Sequence, residues 1–295
     1  MGRALAPPSG EARPEDDAAV HPFGQLEEVV TEITYDAAAA GRYENAMARV
    51  TGHFVPCLLR AAQIGVGQRV LDIATGTGLA AQAALNVVGH DGHVTAADAS
   101  ISMVEQARLR LGAATNVEVC VADGQAMQFP DASFDAVICS LGLMFFPDPE
   151  RGLAEFHRVL RPGGHVAVSV LTVPQRSYNG RINVVAARHK PELRNAVERT
   201  FRLGDSSKLQ GMFATAGFRD VEATLEHHDF VLPSFAEYYE PFEAGGTSTG
   251  EVLKQLPEVV RHAVREEVRQ SLGDNGGPVT VPVEFLIARA TRSAG

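Results

Sequence analysis

VLDIATGTGLAA, residues 70–81, runs an apolar strand into a glycine-rich turn and then into a helix. Gly76, Gly78 and Ala81 fit the G-x-G-x-x-G/A pattern of a nucleotide-binding βαβ unit. Gly76 and Gly78 admit positive φ and let a ligand approach the backbone, and a helix starting near Gly78 presents free N–H groups. Such a turn suits either a pyrophosphate or an amino-acid carboxylate. Asp72, at the strand end, separates the two, because its charge repels phosphate and attracts a cation. Asp98 closes the next strand 20 residues beyond Gly78, the spacing at which a carboxylate accepts hydrogen bonds from ribose hydroxyls. Two structural duties compete with these readings: Asp72 as a cap of the turn, and Asp98 as N-cap of a helix from Ile101 onward.

Outward from this run, short apolar stretches alternate with helical periodicity. RVLDIA is followed by a helix over 79–88, HVTAAD, a helix over 101–111, VEVCVAD, FDAVICSLGL, a helix over 150–160 and HVAVSVLTV. The alternation predicts an α/β, Rossmann-like, mostly parallel seven-stranded sheet with helices on both faces. Arg161-Pro162-Gly163-Gly164 reads as a helix stop and turn, and Ser206 to Ala216 as a helix ended by Gly217. VEATLEHHDFVL reads as a sixth strand. PVTVPVEFLIARA reads as an antiparallel last strand, whose Glu284 and Arg289 suit a place close to a sheet edge. Apolar residues at helical spacing predict two or three helices between Gly24 and Ala62, and a helical insert between Pro233 and Asp274 in which Pro257 opens a new helix. The expected organisation is a disordered tail over 1–20, a helical cap over 21–65, a cofactor-binding core over 66–232, a helical insert over an acceptor pocket at 233–275, and a final strand and tail over 276–295.

Composition narrows the class. Of 295 residues, 45% are apolar and 21% charged, the formal charge is −10, and no run nears the ~20 apolar residues that a membrane span needs. The balance fits a soluble globular protein and gives no basic face for nucleic acid. The first 20 residues lack the apolar core of a signal peptide, so the expected location is cytoplasmic. Cys57, Cys120 and Cys139 have no CxxC spacing and read as reduced thiols, with no metal site in view.

A ribose paired with a cationic group rather than a diphosphate points to S-adenosylmethionine. The chain resembles the class I S-adenosylmethionine-dependent methyltransferases, specifically the ubiquinone and menaquinone C-methyltransferase group. The resemblance spans Tyr43 to Phe218 and rests on the glycine loop, DASISMVEQAR (98–108), VADGQAMQFPDASFDAVICSLGLMFFPDP (121–149) and FHRVLRPGGHVAVSV (156–170). It implies that Asp98 holds the ribose, that Met103 lies against the adenine face, and that Asp123 and Gly124 contact the adenine edge, with Ala99 and Gln125 beside them in the cofactor site. It also implies that the backbone around Ala74, Thr77 and Ser140 faces the methionine end. Met103 equally fits a core position at helical spacing. Tyr43 resembles a lid tyrosine, with ordinary helix packing as the other reading. The chain departs from the D-x-G-x-G-x-G form at Ala74, which replaces the first glycine.

The implied activity is methyl transfer to a small hydrophobic or ring-containing acceptor such as a quinol, a polyketide or another secondary metabolite. In-line displacement asks mainly for an oriented nucleophile and excluded water, so no obligatory catalytic side chain follows. Where a base is required, His21, Tyr35 and His189 are the candidates, with Asp36, His227, His228, Tyr238 and Tyr239 behind them. The alternative is an S-adenosylmethionine-binding protein of this fold that does not methylate: a cyclase, decarboxylase or sensor. The carboxyl-terminal amphipathic helices also offer a surface for a homodimer.

Overall fold

Strands covered on both faces carry near-continuous apolar runs. In the computed structural model, which describes residues 37–244 and 248–293, β1 (Arg69–Ile73) and β4 (Phe134–Ser140) are such strands and lie side by side in parallel register. Beside β1 run β2 (His93–Asp98) and then β3 (Val117–Val121); beside β4 runs β5 (Leu160–Leu171). β7 (Val279–Arg292) lies antiparallel between β5 and β6 (Phe218–Leu232), giving the order β3-β2-β1-β4-β5-β7-β6. The chain winds away from β1 to one side and from β4 to the other, so a crevice opens outside their carboxyl ends, where α/β sheets receive ligands.

The helices are α1 (Ala37–Ala61), α2 (Leu79–Val88), α3 (Ile101–Leu111), α4 (Pro149–Val159), α5 (Gly180–His189), α6 (Arg194–Phe201), α7 (Ser206–Thr215), α8 (Phe235–Glu243), α9 (Ser248–Lys254) and α10 (Glu258–Ser271). Local chemistry sets several starts. Asp148 accepts from the Arg151 N–H at 3.0 Å and precedes Pro149 at the first position of α4; Asp205 caps α7 through Lys208 N at 2.7 Å; Ser234 caps α8 through Glu237 N. Pro257 stands immediately before α10, as its sequence position suggests. The described residues fall within one compact unit.

Several features depart from the sequence reading. The described part of the amino-terminal helical region is a single helix, Ala37–Ala61, and it runs through Pro56; residues 24–36, on which the rest of that expectation falls, lie outside the described residues. Pro56 is exposed, while Phe54, Val55, Leu58 and Leu59 around it are buried, so packing against the sheet outweighs the lost backbone bond. The Arg161–Gly164 run stops α4 but belongs to the start of β5, where the pairing with β4 shifts register between Phe134 and Ala136 and Gly163 takes φ 79°. β7 is antiparallel and close to a sheet edge, as read, lying one strand in from the edge strand β6. Glu284 and Arg289 are tolerated there because Thr172 and Arg176 serve the first and Glu222 the second. α5 and α6, with short 3₁₀ turns at 174–176 and 191–193, were not read from the sequence. The 1–20 tail, His21, Tyr35 and Asp36 lie outside the described residues.

α1 is fastened by Phe54, whose ring stacks on Phe285 of β7 at 4.2 Å and 23°, both being at most 2% exposed. Phe285→Ala is expected to destabilise the fold by about 3–5 kcal/mol, as a buried aromatic deletion does; the urea midpoint measures it, and a loss under about 1 kcal/mol would show that α1 is held elsewhere.

Candidate functional site

The turn after β1 is built by conformations that most residues avoid. Ala74, Gly76 and Gly78 take φ of 57°, 56° and 82°. Glycine is favoured at Gly76 by its φ alone, since nothing lies within 4 Å of where a Cβ would stand, and at Gly78 also by space, since a Cβ would press to 3.1 Å on Leu111. Ala74 holds a left-handed conformation despite its side chain, a strain concentrated at ligand sites. Thr75 N donates to Ala97 O at 3.0 Å, tying the turn to β2, and Arg110 Nε holds Thr77 O at 2.7 Å from α3. α2 begins at Leu79 without a side-chain cap or an acidic residue in its first turn, so its amino end favours an anionic group.

Two carboxylates meet this turn. Asp72 is fully buried; its Oδ2 accepts from the Thr75 hydroxyl at 2.6 Å and its Oδ1 has no partner. Burial raises its pKa to about 7, the Thr75 bond offsetting part of the effect. Asp98 accepts from Gly76 N and Ser100 N, each at 2.9 Å, and burial raises its pKa against those two bonds. The N-cap position of α3 is Ser100, so Asp98 is not the cap of that helix. Ala99 is exposed, and Met103 is 37% exposed on the first turn of α3, which removes it from the core.

The loop after β3 brings Asp123 and Gly124 to the same edge. Asp123 Oδ1 accepts from Gln125 N at 2.9 Å and from its side-chain amide at 3.2 Å. The Gln125 side chain is nearly buried and its Oε1 takes the Asp148 N–H at 2.7 Å, so it braces the loop. Ser140 ends β4, and beyond it Leu141 has φ 55° with its N–H on Ser169 O and Oγ at 3.0 and 3.2 Å. A Cβ at the next residue, Gly142, would collide with the Ala74 methyl and come within 2.9 Å of Cys139 Sγ. The turns after β1 and β4 are thus in contact. Sequence reading missed Thr75, Leu141 and Gly142; the Leu-Gly pair after an apolar strand was the available signal.

The proposed bases stand differently. His189 ends α5 with Nε2 at 3.8 Å from Glu267 of α10. His228 stacks on His53 at 3.9 Å, His227 is exposed, and Tyr238 donates to Tyr178 O at 2.7 Å. Tyr239 is buried, with no partner for its hydroxyl; Tyr43 lies on α1 but its side chain is outside the described residues. Among the described residues no group of three or more His, Cys, Asp or Glu could hold a metal ion, and no helix is long and apolar enough to cross a membrane. Cys57, Cys120 and Cys139 are free thiols, and burial pushes the Cys139 thiol far up.

The methyltransferase domain family matches residues 71–168. A ubiquinone/menaquinone biosynthesis C-methyltransferase of Yersinia pestis is 31% identical over 214 residues, covering 67% of this chain and 85% of the relative. A demethylmenaquinone methyltransferase of Clavibacter sepedonicus is 41% identical over 132 residues, covering 43% of this chain and 53% of the relative, so that match spans about half of the relative's length. Among solved structures, the YcgJ protein of Bacillus subtilis aligns with TM-score 0.56 and 19% identity over 83% of this chain and 100% of that one. An N-methyltransferase of Haemonchus contortus gives TM-score 0.56 and 17% identity over 91% and 60%. At those identities the likeness concerns the fold.

Because folded Asp72 keeps its proton to about pH 7 whereas a free aspartate loses it near 3.8, the folded state binds more protons across that interval. Ligand-free stability is therefore expected to fall as pH rises through it and to level off above. Asp72→Asn should flatten the profile; urea midpoints at about pH 5 and about pH 8 check this, and equal slopes in both proteins would contradict it.

Proposed function

The chain belongs to the class I S-adenosylmethionine-dependent methyltransferases, and from that premise we propose that it methylates a small hydrophobic or ring-containing acceptor such as a quinol, a polyketide or another secondary metabolite. The cofactor is S-adenosylmethionine, and the residues present fit it. The observation that carries the fit is Asp72 Oδ1, a buried carboxylate oxygen without a partner beneath a glycine turn, which suits a cationic group. In this reading Asp72, Ala74, Gly76, Thr77, Gly78 and Ser140 surround the methionine end and Tyr43 covers it. Asp98 and Ala99 meet the ribose, and Met103, Asp123, Gly124 and Gln125 frame the adenine.

When bound, the cofactor supplies a methyl group on a sulfonium sulfur. The chain's own residues then have three tasks. Asp98 orients the nucleoside, the Ala74 and Leu141 turns hold the carboxyl edge of the sheet rigid, and the helices flanking that edge exclude water. No general base is assigned. The apolar character of the acceptor is supported by Phe145 and Val173, 50% and 43% exposed on the segments that follow β4 and β5. It is supported too by the relatives named for quinone biosynthesis. α1 and the helices of 233–275 would wall the acceptor pocket. A cytoplasmic location, the absence of nucleic-acid partners and a homodimer belong to the same proposal.

Calorimetric titration of adenosylhomocysteine is expected to show binding that weakens about 10- to 100-fold in Asp98→Ala, the loss of a charged hydrogen-bond partner. Incubation with S-adenosylmethionine and a reduced naphthoquinone should release adenosylhomocysteine and a product heavier by one methylene, read by mass spectrometry. Cofactor binding without turnover on any ring-containing acceptor would favour the non-methylating alternative.

A further inference from the structure

Phe146 ends the segment that follows β4, and its ring fills a slot between two glycines. A Cβ at Gly124 would collide with Phe146 Cζ, reach 2.5 Å from Cε2 and come to 3.1 Å from Ile73 Cγ1; a Cβ at Gly152 of α4 would come within 2.6 Å of Phe146 Cδ2. Phe156 closes the slot edge-on at 6.1 Å and 83°. The backbone of the segment is pinned from outside, because Arg202 donates to the carbonyls of Met144 and Phe146. Two further bonds staple the neighbouring chain to the loop after β3: Asp148 N to Gln125 Oε1 at 2.7 Å and Arg151 Nε to Gln125 O at 2.8 Å. The same segment touches the methionine-side turn through Gly142 and Ala74.

We propose that Phe146 is a positioning residue for the adenine end of the cofactor: its clamped ring sets the height of the Asp123–Gly124 backbone, and thereby the affinity for the nucleoside. The inference rests on the cofactor reading above and adds to it a residue that touches no ligand. A glycine packed directly on an aromatic ring leaves its backbone little slack, since the ring is bounded by Gly152 and Phe156 and its backbone is held by Arg202. A smaller side chain at position 146 lets the loop sink; a side chain at 124 pushes it out.

The test is a double-mutant cycle on adenosylhomocysteine affinity, measured by calorimetry at a temperature where melting curves show every variant folded. Gly124→Ala and Phe146→Leu should each weaken binding about tenfold, and the double variant should lose clearly less than the product, because the leucine gives the added methyl room. Losses that multiply, or unchanged affinity in both single variants, overturn the proposal. If Gly124→Ala does not fold, Phe146→Leu and Phe146→Met decide, both being smaller side chains that keep the slot apolar. Weaker binding by a fully folded variant supports the role, and wild-type affinity in both overturns it. No binding by the wild type would instead overturn the cofactor reading itself.

Discussion

Burying an ionised carboxylate costs on the order of several kcal/mol unless partners replace its water, and Asp72 faces that cost at the centre of the sheet with a hydroxyl bond from Thr75 and the Ala81 N–H of α2. The neighbourhood is organised around this debt. Thr75 can reach Asp72 because its own N–H is fixed on Ala97 of β2, and the turn can curl over the strand end because Ala74, Gly76 and Gly78 adopt left-handed φ. The same curl delivers the Gly76 N–H to Asp98, so two acidic groups on adjacent strands are linked through one turn. One oxygen of Asp72 is left without a hydrogen-bond partner.

What the sequence disclosed was local. The glycines of the turn, the acid at each strand end and the alternation of strand and helix are written in residue identity and period, and the structure places Asp72, Asp98, Asp123 and Ser140 along one sheet edge. What it concealed depends on contacts between distant residues. Leu141 gives no hint of its left-handed φ, because nothing in leucine favours it; Ser169, far along the chain, holds it there. Gln125 gives no hint that its amide also accepts from the Asp148 N–H and donates to Asp123, bracing the loop. α1 passes through Pro56 because burial of its neighbours outweighs a rule that would have ended it.

The carboxyl-terminal third illustrates the same division. β6 and β7 are legible as strands, but their order is not, since charges at Glu284 and Arg289 read alike on an edge strand and on an inner strand that finds Thr172, Arg176 and Glu222 beside it. The edge at that end is β6, which carries Arg219, Glu222, Glu226, His227 and Asp229 along its length. Such charges discourage pairing with another chain.

The contact between Ala74 and Gly142 bears on how this loop drifts in evolution. Alanine in a left-handed conformation costs about 1 kcal/mol or a little more, and a glycine there would forfeit a similar amount through the freedom it gains in the unfolded chain. Exchange of alanine for glycine at position 74 therefore ranges from neutral to stabilising by up to about 1 kcal/mol. Position 142 has no such latitude, because any side chain would strike both the Ala74 methyl and the Cys139 sulfur. Of the two glycine-like positions at this crevice, the one inside the recognised motif is free to wander and the one outside it is held.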